Sequence, residues 1–246
     1  ADLGSDGLQL VSAIFVFLTG GMLALSLCRY FRVSTSRAMA LYLWHTLFSL
    51  VYLAYVINFG GDAMMYFRSS LSGDLGFAFG TLGVRYVVSF LSQGLGLSFL
   101  GCSLFFQIFG FIGLLAFDAA LREVTWDKSR NIRLLASLIV FLPSVSFWSS
   151  GLGKDSLSFC AMGLALWAAL SLNRRWWLLI IAMLIMLLVR PHMAGMLGLG
   201  LAGSFVLQRG IPLPQRVVLG GNALAGGLFL VPFGLNYSGV GEDAGY

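Results

Sequence analysis

The stretch Trp177-Leu-Leu-Ile-Ile-Ala-Met-Leu-Ile-Met-Leu-Leu-Val189 carries no charged or hydrogen-bonding side chain after its tryptophan. Such a run has no polar face to offer water, and in lipid only a helix or a closed barrel pairs every backbone group. Barrel strands alternate apolar and polar residues, which this run does not. The expected class is therefore all-α. Composition agrees: of 246 residues, 59% are hydrophobic and 10% charged, whereas a soluble domain carries about 25% charged residues. An ordinary soluble enzyme and a disordered chain are both excluded. The 31 glycines lack the triplet period of collagen. The chain reads as a polytopic integral membrane protein.

Crossing the hydrocarbon core takes roughly 20 apolar residues in a helix. Polar breaks divide this chain into about eight such runs, near Leu8 to Cys28, Ala38 to Asn58, Leu97 to Leu121, Leu134 to Ser149, Leu157 to Leu172, Trp176 to Val189, Met193 to Gln208 and Val217 to Leu235. Residues 1–246 thus read as a single transmembrane helical domain. Lys and Arg favour cytoplasmic loops. With both termini outside, the inner loops hold Arg29, Arg32, Arg37, Arg122, Lys128, Arg130, Arg133, Arg174, Arg175, Arg209 and Arg216. Arg68, Arg85, Lys154 and Arg190 are left on the outer side, where positive charge is disfavoured, each near the end of a run. Cys28, Cys102 and Cys160 stand apart inside apolar runs and read as small buried hydrophobes. The segment 59–96 mixes glycine and serine with apolar residues and is expected to lie along the outer face as an amphipathic loop, roofing a cavity.

Three places could hold chemistry. In Gly60-Gly-Asp-Ala-Met-Met-Tyr-Phe-Arg68, Asp62 and Tyr66 share a helix face. A plain reading makes Asp62 a cap, Tyr66 a belt residue and Arg68 a headgroup contact. In Pro143-Ser-Val-Ser-Phe-Trp-Ser-Ser-Gly-Leu-Gly-Lys-Asp-Ser156, glycines and hydroxyls permit a turn with exposed amides beside Lys154, a combination suited to an anion. The plain alternative pairs Lys154 with Asp155 or a lipid phosphate. In Val189-Arg-Pro-His192 an arginine stands at membrane depth before a helix-breaking proline. Arg190 suits a bidentate bond to phosphate and His192 a proton exchange near neutrality, against snorkelling and a structural histidine. His45 reads as a packing or interface residue, Asp118 as the i,i+4 partner of Arg122, and the glycine-rich run Gly195 to Gly203 as a site of close helix approach.

The order of these features resembles the EpsG-like and Wzy-type (O-antigen polymerase-like) membrane polysaccharide polymerases. Those proteins have a Gly-x-Asp-x-x-x-Tyr motif in an early outer loop, a basic residue opening a middle helix and a histidine opening a later one. Here these are Gly60, Asp62 and Tyr66, then Lys154 in Gly153-Lys-Asp-Ser-Leu157, then His192 in Arg190-Pro-His192. The likeness runs from the second apolar run to the seventh. It departs in having Lys154 where arginine is usual, and in the Arg-Pro before the histidine. Such polymerases also commonly have more spans, which leads to the expectation of further chain beyond Tyr246.

The resemblance implies a glycosyltransferase at the outer face of a bacterial inner membrane, using a polyprenyl-pyrophosphate-linked glycan as donor. Lys154, Arg190, Arg68 and Arg85 would neutralise the pyrophosphate, with Tyr66 and Trp148 also contacting substrate. His192 or Asp62 would take the proton of the acceptor hydroxyl, and direct attack would invert the anomeric carbon. No metal or other cofactor is needed where cations carry the leaving-group charge. Expected partners are the lipid-linked oligosaccharide, membrane lipids and polysaccharide-assembly proteins, with no nucleic acid. Two other readings stay open: an accessory subunit of a membrane complex, and a transporter or flippase of a lipid-linked anion. Convergence of Asp62, Lys154, Arg190 and His192 on one cavity separates the enzyme from an accessory subunit.

Overall fold

Residues that open and close helices are spaced so that long apolar segments are cut at fixed places. In the computed structural model, which describes residues 7–72, 77, 79–207, 214, 217, 220 and 221, the first helix, α1 (Gly7–Tyr30), closes with Arg32 at φ 54°. Ser34 then caps α2 (Thr35–Phe59), its hydroxyl accepting from the Arg37 amide at 3.3 Å. Gly60 and Gly61, at φ 79° and 147°, take conformations that L side chains rarely adopt and turn the chain straight into α3 (Asp62–Ser70). α4 (Thr81–Ser89) runs on into a π-helical turn, Phe90–Gly94. Ser98 caps α5 (Phe99–Val124), accepting from the Gly101 amide at 3.2 Å.

Pro143 breaks the next apolar run into α6 (Arg130–Val140) and α7 (Pro143–Ser149), sitting at the start of α7 where its missing N–H costs nothing. α8 (Lys154–Ala169) follows a glycine turn, α9 (Leu172–Val189) kinks at Arg175 and then carries the unbroken apolar stretch 177–189, and Pro191 opens α10 (Pro191–Leu207). No strand occurs among the described residues.

Five stretches are long and apolar enough to cross a membrane: α1, α2, α5, the α6–α7 unit Arg130–Ser149, and α9. The expectation of about eight spans therefore stands at five among the described residues. α8 has 16 residues, about 24 Å of helix against a hydrocarbon core of about 30 Å, and α10 is described as far as Leu207. The run from Val217 to Leu235 lies outside the described residues except for isolated positions.

α5 is the hub. Phe99, Phe106, Phe111, Leu114 and Leu115 are fully buried, and α1, α2, α7 and α8 pack around it. Its closest neighbour is α8: a β-carbon on Gly113 would lie 2.7 Å from Cys160 Cα, and one on Gly163 would collide with the Gly113 carbonyl. Close approach thus sits at Gly113 and Gly163. In the run Gly195 to Gly203, a β-carbon on Gly198 would meet Met183 Cε at 3.8 Å, whereas β-carbons on Gly200 and Gly203 would meet nothing within 4 Å. α1 and α2 cross where Gly20 faces the Tyr42 ring, and Tyr42 Oη donates to the Phe17 carbonyl at 2.5 Å. All three cysteines are buried and unpaired.

The segment 59–96 folds as α3, α4 and the π turn against the bundle. Ala63, Met64, Tyr66, Phe67, Val84, Val88 and Leu91 join one buried cluster with Phe99, Phe106 and Val189. The Gly80 amide donates to the Leu188 carbonyl at 2.7 Å, which ties the start of α4 to the end of α9.

Candidate functional site at one end of the bundle

The end of α2, the starts of α3 and α8 and the junction of α9 with α10 meet around a cavity of about 260 Å³. Its walls include Tyr52, Tyr55, Asp62, Tyr66, Trp148, Gly153, Lys154, Asp155 and Arg190. Five of the residues singled out from the sequence, Asp62, Tyr66, Trp148, Lys154 and Arg190, therefore share one hollow. They come from three separate stretches of chain.

Local geometry explains each placement. The Gly60-Gly61 turn puts Asp62 first in α3, and Tyr66 follows one turn later on the same face, buried while Asp62 is exposed. Asp62 is not the helix cap; Gly61 is, without a side-chain cap bond. Gly153 caps α8 in the same way, at φ 152°, and a β-carbon there would approach the Tyr66 ring at 3.4 Å. The first-turn amides of α8 are thus left for water or an anion, beside the positive end of the helix dipole. Trp148 ends α7 and is 57% exposed.

The cations are held from behind. Lys154 Nζ donates to Thr81 Oγ1 at 2.6 Å, which bridges α8 to α4. Arg190 Nη2 is paired with the Asp155 carboxylate, linking the α9–α10 junction to the first turn of α8. Thr81 escaped the sequence reading, because a threonine opening a short helix carries no local sign of a partner 73 residues away. Asp155 was considered only as a partner of Lys154; it pairs instead with Arg190.

Three expected site residues stand elsewhere. His192 is exposed in the first turn of α10 and is absent from the cavity lining. Arg68 is exposed and lines a neighbouring hollow of about 540 Å³ that shares Gly60 and Gly61 with the first. Arg85 lies one turn after Thr81 on α4, its Nε buried and without a hydrogen-bond partner among the described residues.

Next to the polar cavity runs an apolar groove of about 320 Å³. It shares Trp148 and Asp155 with that cavity and is lined further in by Phe159, Met162, Met186 and Met193. Below it, His45 is fully buried, with Nε2 3.0 Å from Ser149 Oγ, so the histidine braces α7 from α2.

The opposite end of the bundle is built on charge pairs. Asp118, with 1% of its side chain exposed, takes Arg37 Nη2 at 2.6 Å and Arg122 Nε at 3.0 Å. The Asp118–Arg122 pair expected from spacing is present, and Arg37 joins it from α2. Comparison with protein-family models, curated proteins and solved structures finds no match to this chain.

Proposed function

We propose that this protein is a membrane glycosyltransferase of the polysaccharide polymerase type, working at the outer face of a bacterial inner membrane on a polyprenyl-pyrophosphate-linked glycan. The observation that carries the reading is the meeting of Asp62, Tyr66, Trp148, Lys154 and Arg190 at one cavity. An accessory subunit has no need to gather a carboxylate, two cations and two aromatic rings from three stretches of chain.

In this reading the pyrophosphate lies at the N-terminus of α8, between Lys154 and Arg190. Fixed cations and amides there stabilise the charge that develops as the anomeric carbon–oxygen bond breaks. The acceptor hydroxyl attacks that carbon from the opposite side, forming the new glycosidic bond with inversion, and polyprenyl pyrophosphate leaves. The hydroxyl proton passes to Asp62, whose place in the cavity wall makes it a better base than His192. Tyr66 and Trp148 offer faces and edges to the sugar rings. The groove lined by Met162, Met186 and Met193 gives the polyprenyl chain an apolar course away from the cations.

Cells carrying Lys154→Ala, Arg190→Ala or Asp62→Asn at matched protein levels are expected to lose long surface polysaccharide chains. Normal chain length in all three would end this reading.

A further inference from the structure

A second cavity, of about 460 Å³, opens at the other end of the bundle and is lined by Phe31, Arg32, Arg122, Glu123, Trp126 and Trp167. It lies where α1, α5 and α8 end. Two of those helices are long enough to cross a membrane, so this is the depth of lipid headgroups.

Its charges are not equivalent. Arg122 is spent on Asp118 and on the carbonyls of Phe31 and Arg32, and Glu123 is paired with Arg175 at 2.9 Å. Arg175 also stacks over the Trp167 ring, 4.0 Å from its centroid. The Arg32 guanidinium takes part in no hydrogen bond or ion pair among the described residues. Trp126, at the rim, is 80% exposed.

Arg32 also occupies an expensive backbone position. The Val33 amide donates to the Cys28 carbonyl at 2.8 Å, which closes α1 in a motif whose left-handed residue is usually glycine or asparagine. Arg32 fills that place at φ 54°. The backbone would be better served by glycine, so the side chain is what the position gains.

We propose that this cavity binds the phosphodiester headgroup of an anionic phospholipid, with Arg32 as its cation and the exposed Trp126 flanking the glycerol. A phosphodiester fits one uncommitted guanidinium and aromatic walls, and the site lies at headgroup depth. The proposal is independent of the glycosyltransferase reading.

The backbone itself supplies the test. Arg32→Asn and Arg32→Gly remove the guanidinium while relieving the strain, so both fold at least as well as the parent if the side chain does nothing. Thermal unfolding of the purified full chain in detergent is followed with phosphatidylglycerol, with phosphatidylcholine, and with sn-glycerol 1-phosphate alone. Phosphatidylglycerol is expected to raise Tm by about 5–10 °C over phosphatidylcholine at roughly a hundredfold excess over Kd. That difference should vanish in both Arg32 variants and persist in Arg133→Gln, which removes an exposed charge from α6. Retention of the difference in the Arg32 variants overturns the proposal. So does equal loss in Arg133→Gln, which would make it a matter of net charge, and so does a full shift from glycerol phosphate without acyl chains.

Discussion

Lys154 and Thr81 open two different helices, and the lysine ammonium donates to the threonine hydroxyl at 2.6 Å. That bond fixes the cation at the mouth of α8 from a helix that is itself packed on the bundle through Val84 and Val88. Thr81→Val keeps the shape and removes the acceptor. A hydrogen bond to a charged group contributes about 1.5–3 kcal/mol, so thermal unfolding should show a loss toward the lower figure at this half-buried site. Polysaccharide chain length should shorten, and Thr81→Ser should restore it.

The Arg190–Asp155 pair is partly exposed, with 32% and 52% of the two side chains accessible. Such pairs contribute about 0–1 kcal/mol. Asp155→Asn is accordingly expected to leave the unfolding temperature within a few degrees of the parent. Arg190→Lys should be equally stable yet lose function, because an ammonium cannot form the two parallel bonds a guanidinium makes to phosphate. A difference between stability and polymer yield in that variant is the measurement to make.

Asp118 is the opposite case. Its carboxylate is buried between Arg37 and Arg122, which are themselves partly exposed, and leaving a buried charge without partners costs about 3–5 kcal/mol. The double change Arg37→Ala with Arg122→Ala, which strands the carboxylate, should be more destabilising than Asp118→Ala, read as a lower unfolding temperature and poor yield. Replacing Asp118, Arg37 and Arg122 together by apolar residues should recover part of that loss.

Packing of α5 on α8 gives a further contrast. Gly113→Ala forces a methyl against backbone at 2.7 Å, and overpacking of this kind costs about 1–3 kcal/mol. Gly200→Ala meets nothing within 4 Å and should be neutral or slightly stabilising in a helix. Unfolding of the two variants side by side checks the helix interface directly.

These contrasts also mark what the amino-acid order reveals by itself. The break at Pro191 was legible because its cause is local, whereas Ser34 and Ser98 act just as locally without standing out from their surroundings, and the apolar run from Leu134 to Ser149 hides the break at Pro143. The Asp62–Tyr66 face was legible for the same reason. Glycine spacing was not enough, since Gly200 and Gly203 sit in the same glycine-rich run yet face open space, while backbone contact is tight at Gly113 and Gly163, and only the partner helix distinguishes them. Apolar composition does not by itself mark a span: α8 is apolar because it is buried between α5 and α9, and it is short for a crossing. Thr81, Asp155 and the bracing of α7 by His45 depend on contacts across the fold, and no local pattern announces them.

The central claim is that the cavity walled by Asp62, Lys154 and Arg190 transfers glycan from a polyprenyl pyrophosphate. Its most direct test is the purified protein in liposomes with a polyprenyl-pyrophosphate oligosaccharide, measuring released polyprenyl pyrophosphate and product length together. The account predicts release coupled to chain growth in the parent protein and in His192→Ala. It predicts loss of both in Lys154→Ala, Arg190→Ala and Asp62→Asn, with unfolding temperatures unchanged in the last two and lowered in Lys154→Ala by no more than in Thr81→Val, which breaks the same hydrogen bond. Turnover in those three variants equal to that of the parent would contradict it.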